Sequence, residues 1–267
     1  MGKSAMLELY GAPQSTCSQK VRLTLAEKNL DFVKHEMKLF QNDQLKPEYL
    51  KLNPNGVVPT LVHDGTPIID SSVIMEYLDE TYPEIALSPG DPKQRAQMRT
   101  WLRFFEEVPT VAVRFPSYNA AFARHFEKLS DEEFKSLAKS KPLRDKFLGE
   151  MDKHKGFSTE RLKQAEDSIR KTVVRMEKPL FQSDYLLGNN LTLADFCVLP
   201  LLIRMEDLGY EFLWKDLPGV AAWLVRIKSR PSFSFAFYDG SLLSQQYPGI
   251  REEHQAQRAL ALADSAA

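Results

Sequence analysis

Cysteine is nearly absent from this chain: Cys17 and Cys197 are the only two among 267 residues. That excludes a disulfide scaffold and any metal site built on clustered thiolates, and it suits a reducing, cytoplasmic setting. A surplus of one charge is missing too. Lysine and arginine number 35 against 36 aspartate and glutamate, a formal net charge of −1. Such a balance gives no electrostatic footprint for nucleic acid or an anionic membrane. No apolar run approaches the roughly 20 residues of a membrane span. The opening Met1-Gly2-Lys3-Ser4 lacks the apolar core of a secretory signal, and no internal repeat is seen. What is present is a 43% hydrophobic content, enough for a sizeable core. A protein with neither a nucleic-acid nor a membrane partner is therefore expected.

The stretch Ser15-Thr16-Cys17-Ser18-Gln19-Lys20-Val21-Arg22 organises the rest. It follows the alternating run Leu7-Glu8-Leu9-Tyr10 and the breakers Gly11 and Pro13. It opens a pattern in which Cys17, Val21 and Leu25 recur at helical spacing. The local expectation is strand, tight loop, helix N-terminus. A helix start carries unpaired N–H groups and partial positive charge, a setting that suits an anion or a thiolate. Simple capping of the helix by Ser15 or Thr16 is the other reading.

Farther on, Val33, His35, Met37 and Leu39 alternate with charged residues from Asp31 to Leu39, predicting a half-buried strand parallel to the first. Asn53-Pro54-Asn55-Gly56 predicts a turn, and Asp64-Gly65 a hairpin between Leu61-Val62 and Pro67-Ile68-Ile69. Asp70-Ser71-Ser72 reads as another helix start, and Pro83 ends that helix. The order is β-α-β then β-β-α. Past a Pro- and Gly-rich linker only helical patterning appears, in segments starting at Lys93, Thr159, Thr192 and Gly219. Thr192-Leu193-Ala194-Asp195 has the spacing of a capping box. Residues 126–158 are charged and interrupted, and read as a solvated insertion; residues 251–267 read as a fraying tail.

Four motifs in order resemble the glutathione S-transferase family over about residues 5–235. The Ser15 stretch is similar to the catalytic loop of its zeta and phi classes. Asn53-Pro54-x-Gly56-x-Val58-Pro59 is similar to the element before the family's cis-proline, Asp70-Ser71 to its acidic residue and serine, and Thr192-x-x-Asp195 to its capping box. The resemblance implies an α/β thioredoxin-like N-terminal domain at 1–85, a linker at 86–92 and an all-α C-terminal domain at 93–250. It implies glutathione as co-substrate and a homodimer. It also implies roles. Ser15, or Cys17 in its place, would meet the sulfur; a cis Pro59 would expose the Val58 backbone to the cysteinyl unit. Asp70 and Ser71 would hold the γ-glutamyl end, and Lys46 or Lys51 the glycyl carboxylate. Val57 stands where many relatives carry Gln, so one contact must come from elsewhere.

The helical face Met98, Trp101, Leu102 and Phe105 is expected to line the pocket of an apolar, aromatic second substrate, with Arg99 and Arg103 as candidate anion holders. Three runs of the helical half, such as Pro218-Gly219-x-Ala221-Ala222-Trp223, are similar to the bacterial β-etherase branch, which cleaves aryl ethers of lignin-derived aromatics with glutathione. The Ser15 loop points to zeta and phi instead. A zeta-type cis-trans isomerase and a non-catalytic glutathione-binding or regulatory protein therefore stay open beside the transferase.

Overall fold

Leu7 and Leu9 alternate with Glu8 and Tyr10, and strand β1 (Leu7–Gly11) buries the first pair under its sheet. The structure, a computed structural model, describes residues 6–266. Helix α1 (Thr16–Glu27) follows, then β2 (Val33–Glu36), a short α2 (Pro47–Leu50), β3 (Thr60–His63), β4 (Thr66–Ile69) and α3 (Ser71–Thr81). The strands order as β2-β1-β3-β4. β1 runs parallel to β2 and antiparallel to β3, with Leu9 opposite Leu61. Asp64 and Gly65 both take positive φ (49° and 82°), as a tight hairpin requires, and bring β4 back along β3. β2 is shorter than the alternation from Asp31 to Leu39 predicts, and it is mostly exposed. It is an edge strand, so only one neighbour fixes its length.

The second unit is all helix. Asp91 caps α4 (Pro92–Glu107) by accepting from the N–H groups of Lys93 and Gln94. The helical stretch predicted to start at Lys93 is broken at Pro109, which has no N–H to give. Short helices α5 (Pro109–Ala112) and α6 (Arg114–Ser117) and a π-helical turn at Tyr118–Phe122 take its place. Then come α7 (Asp131–Lys139), α8 (Asp145–Gly149), α9 (Thr159–Leu180), α10 (Leu193–Asp207), α11 (Pro218–Lys228), α12 (Pro231–Ala236), α13 (Leu243–Gln246) and α14 (Ile250–Ala266).

One sequence expectation fails here. The 126–158 segment is not a solvated insertion: Phe126, Phe134, Leu148, Met151 and Phe157 join the same core as α4, α9 and α10. The tail forms α14, where Arg251 donates to the Glu206 carbonyl and the Glu211 carboxylate. His254 stacks on Tyr210 at 3.9 Å, which adds apolar contact.

α10 is the axis of the helical unit, buried on nearly every side. At its start Thr192 donates to Asp195 from both its N–H and its hydroxyl, at 2.9 Å each. Asp195 also accepts from the Leu186 N–H and from Trp223 Nε1. Four donors thus converge on one buried carboxylate, tying α10 to α11 and to the loop before it.

Candidate active site

A cavity of about 460 Å³ opens between the two units. Its sheet-side wall is the Ser15 loop, the segment after β2 and the turn before β3. Its helical wall comes from α5, α6, the π-helical turn and the loop between α7 and α8.

Ser15 is the N-cap of α1: its Oγ accepts from the Ser18 N–H at 3.2 Å. A hydroxyl has one donor besides its acceptor pairs, so capping leaves the Ser15 O–H free to donate into the cavity it lines. The two sequence readings of this serine coexist. Thr16 and Cys17 line the same cavity, and Cys17 is only half-buried, not sealed in the core. Ser18 is excluded from the site. It is fully buried, with its Oγ accepting from the Ala12 N–H.

The loop's shape is imposed by groups around it. Arg22, buried on α1, donates to the carbonyls of Ala12 and Pro13 and to that of Ala236 on α12. Burial lowers its pKa to about 10, which still leaves it charged at neutral pH. Arg204 on α10 donates to the Gln14 carbonyl and to Ser117 Oγ. Gln14 and Gln19 in turn donate to the carbonyls of Gly240 and Ser241. Beneath the loop a fully buried Lys20 pairs with Glu106 at 2.6 Å and with Thr110. Burial opposes charge on that ammonium, but the Glu106 carboxylate paired with it keeps it charged and its pKa is raised. Cys197 is a buried thiol whose pKa burial raises, which makes it an inert core residue.

The Val58–Pro59 peptide is cis. The Val57 carbonyl is taken by the Tyr49 hydroxyl and the Asn53 amide. The Val58 N–H and C=O make no hydrogen bond among the described residues. They lie beside the cavity, able to pair with a peptide's backbone. Asp70 takes a positive φ of 73° and caps α3. Its Oδ1 accepts from the N–H and hydroxyl of Ser72 and from the Val73 N–H, leaving Oδ2 uncommitted. Ser71, the first residue of α3, is 4% exposed. Pro59, Asp70 and Ser71 do not line the cavity itself.

Lys46 does not join this group. Its ammonium pairs with Asp43 at 2.7 Å and it borders a separate shallow depression beside Tyr10. The predicted second-substrate face is also misplaced. Met98, Leu102 and Phe105 are at most 1% exposed in the core, and Trp101 packs outside it under Arg175. Arg99 pairs with Glu76 of α3 at 2.6 Å and fastens the two units together. The aromatic wall is instead Tyr118, Phe122 and Phe126, joined by Phe40, which stacks on His125 at 3.8 Å. Burial, and then the nearby Arg124, lowers the pKa of His125, so its ring is neutral at pH 7. Arg114, Lys141 and Arg144 complete the wall. These residues had no motif in the sequence; the only signal was the aromatic density from Phe115 to Phe126.

Residues 9–88 match the model of the glutathione S-transferase N-terminal domain, and residues 146–231 that of the C-terminal domain. Protein LigF of Sphingobium sp. strain SYK-6 is 32% identical over 238 residues, 86% of this chain and 93% of that protein. The chain belongs to the glutathione S-transferase family. The crystal structure of β-etherase LigF superposes with a TM-score of 0.78 at 31% identity, covering 87% of this chain and 98% of that one. FtsZ-localized protein A of Caulobacter vibrioides is 29% identical over 246 residues, 91% of this chain and 92% of its own. The family's thioredoxin-like first unit and helical second unit are the two units described above.

Proposed function

We propose that the protein is a glutathione transferase that ionises the glutathione thiol at Ser15 and directs it at an aromatic electrophile in the cavity. The observation that carries this is the Ser15 hydroxyl: held as an acceptor by the helix it caps, it keeps its proton for a sulfur. Val58 would pair with the cysteinyl unit, and Asp70 Oδ2 would accept from the γ-glutamyl amine. The Ser71 N–H and hydroxyl, at the start of α3, would take the γ-glutamyl carboxylate.

Magnitudes say where the acceleration must come from. A thiol of pKa near 8.5 is about 3% ionised at pH 7. Lowering that pKa by about two units takes roughly 2.7 kcal/mol. It multiplies the thiolate about 25-fold, but a Brønsted slope near 0.4–0.5 takes back roughly eightfold in nucleophilicity. The net is about threefold, so most of the rate comes from holding thiolate and electrophile together. The helical wall is therefore half of the catalyst.

The kinship with β-etherase LigF supports a finer reading, glutathione-dependent cleavage of β-aryl ethers. The thiolate attacks the carbon bearing the aryloxy group, a C–S bond forms as the C–O bond breaks, and the phenolate leaves to take a proton. A β-aryl ether ketone incubated with the protein and glutathione should release a phenol and a thioether in equal amounts. Release of neither, with glutathione still bound in a calorimeter, would leave transfer to other electrophiles or the second reading. That second reading is a binding or regulatory protein without turnover, supported by the similarity to FtsZ-localized protein A over most of the chain. A homodimer belongs to the family reading and is decided by light scattering.

A further inference from the structure

The cavity is lined by five basic side chains, Lys38, Arg114, Lys141, Arg144 and Arg204, against a single acid, Glu36. This is unexpected in a chain whose net charge is −1. Glu36 is itself engaged by Lys34 at 2.9 Å. Arg204 is committed to the Ser15 loop. Arg114, Lys141 and Arg144 face the cavity with no carboxylate partner among the described residues. Lys141 has only Asn42 Oδ1 at 3.3 Å, and Arg144 only the Leu143 carbonyl beside it. All three are half-buried.

Crowding like charges in a partly desolvated wall is unfavourable. Burial, then the neighbouring Arg144, lowers the pKa of both Arg114 and Lys141. An anion placed among them relieves that repulsion and satisfies the guanidinium forks, which match a carboxylate's two oxygens. Tyr118, Phe122 and Phe126 stand on the same wall and supply a face for a ring. Arg114 and Cys17 line the same cavity, so an anion held there shares it with the sulfur's station.

We propose that Arg114, Lys141 and Arg144 form a carboxylate-binding subsite for the second substrate, so that the preferred electrophile is an aromatic acid. This rests on the transferase reading and narrows it. It also gives the 126–158 segment a role, since Lys141 and Arg144 come from it.

The test uses 4-chloro-3-nitrobenzoate and its methyl ester, both of which lose chloride to glutathione. After correction for their uncatalysed rates, kcat/KM should favour the acid by about tenfold or more. Arg144→Gln and Lys141→Gln should bring the ratio towards one, and Arg144→Lys should restore part of it. Melting curves check that each variant folds. A wild-type ratio near one overturns the proposal. So does a loss in the variants that appears wholly as a raised KM for glutathione, equal for acid and ester, since the cations would then serve the tripeptide. Calorimetric binding of the unreactive 3-nitrobenzoate and its methyl ester, with glutathione present, separates the two levels. If neither chloride is displaced but the acid still binds more tightly, the transferase reading fails and the subsite stands.

Discussion

The two walls of the cavity are built by different means. The sheet-side wall offers mainly backbone and capping groups: the start of α1 and the unpaired backbone at Val58. Each comes from a few consecutive residues. The helical wall offers side chains gathered from distant places: Arg114 from α6, Tyr118 and Phe122 from a π-helical turn, Lys141 and Arg144 from a loop. Backbone groups can bind one constant partner without knowing the rest of the chain. Side chains can be retuned one at a time, which suits the side that meets a variable electrophile.

The sharpest way to break that comparison is to swap a core aromatic for a wall aromatic. Phe105→Ala should cost about 3–5 kcal/mol of stability, because it empties a fully buried site. Denaturant melts measure it, and KM for the electrophile should hardly move. Phe122→Ala, on the cavity, should do the reverse. If Phe105→Ala altered KM selectively with stability intact, the sequence-based pocket face would be right after all.

Arg22→Met should come next, at about 2–4 kcal/mol, since it strands several buried carbonyls at once. It should also weaken glutathione binding, because the Ser15 loop loses its clamp; a thermal melt and a calorimetric titration together check both.

Ser15→Ala should leave stability within about 1 kcal/mol, the worth of a cap, yet move the acid limb of the pH–rate profile up by about two units. At pH 7 the thiolate falls about 25-fold, but its stronger nucleophilicity leaves a net loss of about threefold, which should be gone above about pH 9, where even an unassisted thiol is ionised. A flat profile would transfer the sulfur's partner to Cys17. The smallest effect is chemical: iodoacetamide should label Cys17 and spare the buried Cys197 in the native protein, with glutathione slowing the reaction. Equal labelling of both would mean the core around α10 opens readily.

This asymmetry also explains what could be read from the residues alone. The Ser15 loop, Val58–Pro59 and Asp70-Ser71 were legible because turn and cap chemistry is local, and the cis bond at Pro59 is found where the motif implied it. Met98, Leu102 and Phe105 share a helix face as expected, but periodicity says only that a face is buried and not against what. The face meets the core, and the cavity falls one turn farther on, past the break at Pro109. Lys46 lies away from the cavity, paired with Asp43 three residues before it. The 126–158 segment misled through its composition. Its charges are outside, but its spaced phenylalanines bury a face and carry the two cations inward.

The clamp on residues 12–14 reaches far along the chain. Through Arg22, Gln14 and Gln19 the loop is fastened to the carbonyls of Ala236, Gly240 and Ser241, more than two hundred residues downstream. Ribosomal synthesis therefore delivers the thiol-activating turn early but leaves it unlatched until almost the whole polypeptide has emerged. A stop codon shortly after residue 230 should produce a protein that retains its sheet and most of its helices, yet has lost its grip on the tripeptide.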